Sequence, residues 1–195
     1  MNDEDIIMND RNIKKRLYHQ IPLGILSFVA SNPGAVFSAG EISKEAHASK
    51  GATSQTLGFL LELEIISREK KGNTFLYKLN TDNFVLKQFK IFENLLDLQN
   101  MVKAIQKYCS EIILFGSRAD GSNDGKSDID LFIRTEYKDK VRKIITKHET
   151  TDVRYQVIIQ DSLESASSKK EDSVFHRQVK KGITLWKGRA AYEEI

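Results

Sequence analysis

EIILFGSRADGSNDGKSDIDLFI, residues 111–133, decides how the C-terminal half of the chain is read. Glu111–Phe115 has the length and branching of a strand, and it delivers Gly116 and Ser117 into a turn. Glycine lets a backbone approach a phosphate closely, and the N–H groups of such a turn, with the Ser117 hydroxyl, suit phosphate oxygens. Asp128 and Asp130 stand two residues apart in a second apolar strand, Asp128–Arg134, so the pleat turns both carboxylates to one face. Two hard oxygen ligands side by side suit Mg²⁺, which also accepts triphosphate oxygens and neutralises charge as a phosphoryl oxygen leaves.

Outward from this stretch, Lys138–Lys147 reads as a helix, Val153–Ile159 as a strand, Ser173–Lys181 as a helix and Ile183–Trp186 as a short strand. Strands alternating with helices predict a mixed α/β domain with a small mixed sheet. At this point GSRADGSNDGKSDIDLFI resembles the signature of the DNA polymerase β-type nucleotidyltransferase superfamily, above all its minimal prokaryotic members: a strand, Gly-Ser, a loop, then Asp-x-Asp in an apolar strand. SVFHRQVKKGITLW, residues 173–186, looks like the closing helix and strand of those domains, and the resemblance spans residues 100–188 or so. It implies that Gly116 and Ser117 hold the phosphates of ATP or another nucleoside triphosphate, that Arg118 assists, and that Asp128 and Asp130 are the catalytic, Mg²⁺-holding carboxylates.

One position departs from the pattern. Active members usually carry a third acid on a later strand, whereas Tyr155-Gln156-Val157-Ile158-Ile159 places Gln156 there. An amide oxygen can ligate a metal, but it brings no charge and accepts no proton at neutral pH. Loss of a general base alone typically costs about 10²–10⁴-fold in rate. Asp152 shares the face of Gln156 on a straight strand but lies about 13 Å along it, and Asp161 needs a register break. The phosphate and metal half of the site is therefore expected to persist without its proton acceptor. Lys126 and Asp120 line the loop without an assigned role, and His176 reads as a surface histidine on the last helix.

The N-terminal half has a different grammar. Residues 1–12 are polar and acidic, and are expected to fray. Leu17, Ile21, Ile25, Leu26 and Val29 recur at helical spacing, with Pro22 near the start and Asn32-Pro33-Gly34 as the stop. Ser38 followed by Glu41 is a capping box for a short second helix, and Ala52 to Glu64 forms a third, with its leucines mostly inward. Ile65–Glu69, a polar turn at Lys70–Asn73 and Thr74–Leu79 make a hairpin. Three helices followed by a hairpin is the order of a winged helix, and TSQTLGFLLELEIISREKKGNTFLYKL resembles the winged-helix domains of many prokaryotic transcription regulators. Lys50, Thr53, Ser54, Gln55 and Thr56 open the third helix with side chains suited to base edges and phosphates. Arg68, Lys70, Lys71 and Asn73 suit the DNA backbone. His19 and His47 read as structural or exposed.

The expected organisation is α+β: a winged helix over 13–81, a linking helix over 82–108 and a nucleotidyltransferase-like domain over 109–195. The linking helix has no proline or glycine and serves either as core or as a dimer seam. Net charge +3 permits an acidic partner without demanding one, and the single cysteine, Cys109, excludes an intramolecular disulfide and a multi-cysteine zinc site. The longest apolar stretch is too short to cross a bilayer and no secretory leader opens the chain, so a cytoplasmic protein is expected. Three readings stand: a double-stranded-DNA-binding regulator that binds nucleotide, with homodimerisation a natural accompaniment; a working Mg²⁺-dependent nucleotidyltransferase; and an antitoxin-like partner of a small helical toxin.

Overall fold

A computed structural model describes residues 21–150, 153–164 and 174–188. The expected helical turn around Leu17, the acidic N-terminal stretch, His19, Asp152 and Ser173 lie outside the described residues. The chain divides into two compact units, with the division between Phe92 and Glu93.

In the first unit, α1 (Ile21–Ala30) buries Ile25, Leu26, Val29 and Ala30, the apolar positions of its helical repeat. It ends where Asn32 Nδ2 donates to the Phe28 carbonyl at 2.8 Å and Pro33 stops propagation. A three-residue strand, β1 (Val36–Ser38), follows, which the sequence reading did not contain. Then comes α2 (Ala39–Glu45), whose capping box is formed: the Ser38 hydroxyl accepts from the Glu41 N–H, and the Glu41 carboxylate accepts from the Ser38 N–H at 2.7 Å. Helix α3 (Lys50–Glu62), capped by Ser49, leads to β2 (Ile66–Lys71) and β3 (Thr74–Leu79). The strands form an antiparallel sheet in the order β1-β3-β2, and Gly72, at φ +62°, turns the hairpin. Ile25, Val29, Ile42, Leu57, Leu60, Ile65, Leu79 and Leu86 make the core of this winged-helix arrangement.

Helix α4 (Phe84–Ile105) runs unbroken across the division, and a 3₁₀ turn (Gln106–Tyr108) ends it. The second unit continues with β4 (Glu111–Phe115), the single turn α5 (Ser117–Asp120), β5 (Ile129–Arg134), α6 (Lys138–Thr146), β6 (Tyr155–Gln160), α7 (Val174–Lys180) and β7 (Ile183–Lys187). The sheet order is β6-β5-β4-β7. Strands β5 and β6 are parallel, with α6 in the crossover between them, and the other pairs are antiparallel, so the sheet is mixed as expected.

Strand alternation sorts the side chains of this sheet. Ile112, Leu114, Ile129, Leu131 and Ile133 join Leu98, Met101, Ile105, Val141 and Ile145 in the main core. Ile113, Phe115 and Phe132 take the other face, where Phe175 and Val179 of α7 pack on them. Asp130 belongs to the Phe132 face, opposite Phe115 in the β4–β5 ladder. Among the described residues no helix is long and apolar enough to cross a membrane.

Candidate metal–nucleotide site

Backbone register brings the conspicuous residues together. Phe115 pairs with Asp130 across the antiparallel β4–β5 ladder, so the chain leaves β4 at Gly116 directly beside the Asp130 carboxylate. Gly116 has φ +71° and ψ −158°, a region open essentially to glycine alone. A Cβ built on it would collide with Asp130 Oδ2. Gly116 is thus required twice, by its dihedrals and by its neighbour.

The loop after Gly116 is fixed by its own polar groups. The Ser117 carbonyl accepts from the N–H groups of Ser122 and Asn123, and Gly121 at φ +75° reverses the chain. Further on, the Ser127 hydroxyl donates to Asp124 Oδ1 at 2.9 Å and accepts from the Asp124 N–H, while Lys126 N–H donates to the same carboxylate. The backbone hydrogen bond from Lys126 leads the causes that hold the Asp124 carboxyl below its usual range.

Arg118 takes a place that differs from expectation. Its side chain is buried, with the residue 9% exposed, and its guanidinium holds the Ser127 carbonyl through Nε at 3.1 Å and Nη2 at 2.9 Å. Nη1 donates to Asn94 Oδ1 at 3.1 Å, and Asn94 Nδ2 returns a bond to the Arg118 carbonyl at 2.9 Å. Burial lowers its pKa from the usual guanidinium value, against the opposing pull of Asp97, Tyr155, Asp128 and Asp124. A group bound to three protein acceptor contacts is a clamp on the loop preceding Asp128, where the sequence suggested a phosphate ligand. The signal for that clamp, Asn94, sits in a helix that reads as plain amphipathic pattern.

The two aspartates have distinct environments. Asp130 is partly buried, and burial, followed by repulsion from Asp128, holds its carboxyl above the ordinary range while Arg118 pulls it back. Asp128 Oδ1 is shielded from solvent and has no hydrogen bond of good geometry; Arg154 Nε lies 3.1 Å from it. That approach is an ion pair by distance and charge, not an aligned hydrogen bond. Arg154, just before β6, was not singled out in the sequence.

Gln156 pairs with Asp130 in the parallel β5–β6 register, so the neutral amide stands on the strand position adjacent to the second aspartate. Asp161 follows the opposite end of β6, where it bonds Lys138 Nζ at 2.8 Å and accepts from the Glu164 N–H. It is a local cap remote from Asp130. Among the described residues no group of three or more His, Cys, Asp or Glu side chains could hold a metal ion. His176 stacks edge-on to Phe175 and lines a separate cavity of about 260 Å³ with Ile113, Phe132 and Arg134. Cys109 is buried, its thiol pushed up to about 11 by desolvation, which leaves it inert.

In the first unit, Lys50, Ser54 and Gln55 of α3 and Arg68, Lys70, Lys71 and Asn73 of the hairpin are exposed. Arg68 lies over the Phe75 ring at 4.7 Å. Thr53 and Thr56, expected among the exposed polar residues, are buried instead: they share the inward stripe with Leu57 and Leu60, and their hydroxyls back-bond to the carbonyls of Ser49 and Ala52.

Set beside known proteins, the chain is similar to a provisionally assigned nucleotidyltransferase from Sulfolobus solfataricus at 21% identity, over 52% of this chain and 86% of that one, with a TM-score of 0.35. It is also similar to MepR, a transcription regulator of the Staphylococcus aureus multidrug efflux pump MepA, at 15% identity, over 49% of this chain and 71% of that one, with a TM-score of 0.38. Neither likeness is large enough to bear on function. No curated protein sequence matches the chain. The family model described as the nucleotidyltransferase domain matches residues 98–180, which supports a nucleotidyltransferase-fold domain in the C-terminal part of the chain.

Proposed function

We propose that this chain is a DNA-binding, regulator-like protein whose nucleotidyltransferase domain binds a nucleoside triphosphate with Mg²⁺, with transfer chemistry weak or lost. The observation that carries the reading is the packing of the Asp130 carboxylate against Gly116 while Gln156 stands opposite it. The residues fit one divalent ion: two hard carboxylates two residues apart at the start of β5, a shielded Asp128 oxygen without a hydrogen bond, and a glycine position that a side chain would block. Asp128 and Asp130 would hold the ion, which supplies positive charge to the phosphates. Gly116 and Ser117 provide close backbone approach and a hydroxyl. Gln156 can orient a ligand through its amide but cannot take a proton from an attacking hydroxyl.

For the first unit, the exposed polar start of α3 and the basic hairpin support binding to double-stranded DNA, with Ser54 and Gln55 toward bases and Lys50, Arg68 and one of the adjacent pair Lys70 and Lys71 toward phosphates. The test is a calorimetric titration with Mg·ATP, repeated with Asp128→Ala, beside an incubation with α-labelled ATP. Saturable binding lost in the variant, without label transfer, is the expected result. Robust Asp128-dependent labelling of an acceptor would replace the sensing role with a working transferase. Absence of binding in the wild type would end the nucleotide reading.

A further inference from the structure

Among the described residues, Arg154 is the one cation that the structure sets on a metal-type carboxylate without a bond to the loop clamp. Its Nε lies 3.1 Å from Asp128 Oδ1, the shielded oxygen that has no well-aligned hydrogen bond. Its backbone is anchored, since the Ile129 N–H donates to the Arg154 carbonyl at 2.9 Å. Its side chain is nevertheless 71% exposed, so the guanidinium can swing while its origin stays beside Asp128. Arg118 is bound at Ser127 and Asn94 and has no such freedom.

Charge makes the two possible cations exclusive. Asp128 and Asp130 bring two negative charges and Gln156 none, and Arg154 offsets one of them on the oxygen that a divalent ion would ligate. An ion on that oxygen would meet a like-charged guanidinium at contact distance, so one of them must leave. A displaced Arg154 remains tethered beside Asp128 by its backbone, and the new negative charge that loads with the metal is a phosphate oxygen of the ligand. A planar guanidinium with several donors suits that oxygen better than water does.

We propose that Arg154 is a built-in competitor for the divalent cation at Asp128 which, when metal and triphosphate load together, transfers to a phosphate oxygen. The inference rests on the metal–nucleotide reading of the site. It makes metal alone a poor ligand and metal–triphosphate a good one, so the site responds to the nucleotide and not to free cation.

The test measures Mn²⁺ binding by electron paramagnetic resonance, alone and with α,β-methylene-ATP, in the full chain, in Arg154→Ala and in Asp128→Asn. Arg154→Ala should bind Mn²⁺ alone about two- to fivefold tighter, the size of one exposed ion pair removed. The same variant should bind the Mn²⁺ complex of the analogue about tenfold more weakly, as expected for one charge-assisted hydrogen bond lost. Opposite signs are the signature. Effects of the same sign, or none, in a protein whose Mn²⁺ binding still depends on Asp128 would overturn the role of Arg154 alone. No binding of the Mn²⁺ complex of the analogue in the wild type, or binding of it unchanged in Asp128→Asn, would overturn the site reading together with it. Because Arg154 is largely exposed, the variant's near-ultraviolet circular dichroism should match the wild type, separating loss of contact from loss of fold.

Discussion

The Asp130 carboxylate packs on the Cα of Gly116, leaving no room for a methyl group on that carbon. The antiparallel pairing of Phe115 with Asp130 imposes the contact, and the positive φ of Gly116 lets the chain turn away immediately after it. Gly116→Ala should therefore fail on both counts. The backbone strain alone is of order 1–3 kcal/mol, and relief of the collision must move Asp130. Urea unfolding should show the lower stability, and Mn²⁺ titration the loss of binding. A variant of unchanged stability with intact Mn²⁺ affinity would refute the cradle.

Gln156 offers the reverse experiment. Its register opposite Asp130 means that Gln156→Asp adds a carboxylate beside the existing pair without disturbing the buried faces of β6. Mn²⁺ affinity should rise about tenfold or more, by analogy with the gain from one directly paired charge. Metal-free stability should fall, because three carboxylates then repel each other. Unchanged metal affinity together with unchanged metal-free stability would mean that residue 156 does not face the aspartates.

The acid–base behaviour of Asp130 follows from its surroundings. Burial, and then the charge of Asp128, raise its carboxyl above the ordinary range. The folded protein thus holds this proton more tightly than the unfolded chain does. The associated stability is fully present below the ordinary carboxylate range and is lost as pH rises through the raised value. A divalent cation competes for the same oxygens, so its affinity should fall on acidification at a higher pH than an exposed aspartate would dictate. Carboxyl ¹³C titration of the metal-free protein should place Asp130 above the exposed aspartates and move it down in Asp128→Asn. A midpoint level with the exposed group would contradict this account.

For the wing, exposure separates residues that composition alone groups together. Lys70 and Lys71 are neighbours on β2 and project to opposite faces, so a duplex meets one of them squarely. Lys70→Ala plus Lys71→Ala should weaken DNA retention and lower the slope of log affinity against log salt by roughly 0.9, one phosphate contact. Thr53→Val should leave retention unchanged because that side chain is buried, whereas Gln55→Ala should reduce it. Equal losses from Thr53→Val and Gln55→Ala would place the contact surface elsewhere.

The elements that were legible in the sequence are those with local causes. The capping box at Ser38 and Glu41, the turn at Gly72 and the alternation of Ile129, Leu131 and Ile133 each need only a few adjacent residues. So does the spacing that sets Asp128 and Asp130 on one face. What escaped was decided by distant partners. β1 is three residues long and exists because β3 offers it an edge, which no periodicity announces. Thr53 and Thr56 look like surface polar residues until Leu57 and Leu60 fix the buried stripe of α3. Arg154 meets Asp128 because β6 lies parallel to β5, a register that sequence spacing does not encode.

Arg118 tests how far motif position determines role. A basic side chain beside Gly116-Ser117 reads as a phosphate ligand, yet three of its five donors go to the Ser127 carbonyl and to Asn94. If it is a clamp, Arg118→Met strands buried acceptors at about 1–3 kcal/mol each, and the loop before Asp128 loosens. Stability and Mn²⁺ affinity should then fall together, and Asn94→Leu should reproduce both effects because it breaks the same buried network. Arg118→Lys should recover little, since one ammonium cannot serve Ser127 and Asn94 with the geometry of the guanidinium fork. A phosphate ligand predicts a different pattern: normal unfolding, normal Mn²⁺ binding without nucleotide, and a deficit confined to the triphosphate complex. Denaturation and Mn²⁺ titration of these three variants distinguish the two roles, and a nucleotide-only defect in Arg118→Met would return Arg118 to the phosphate.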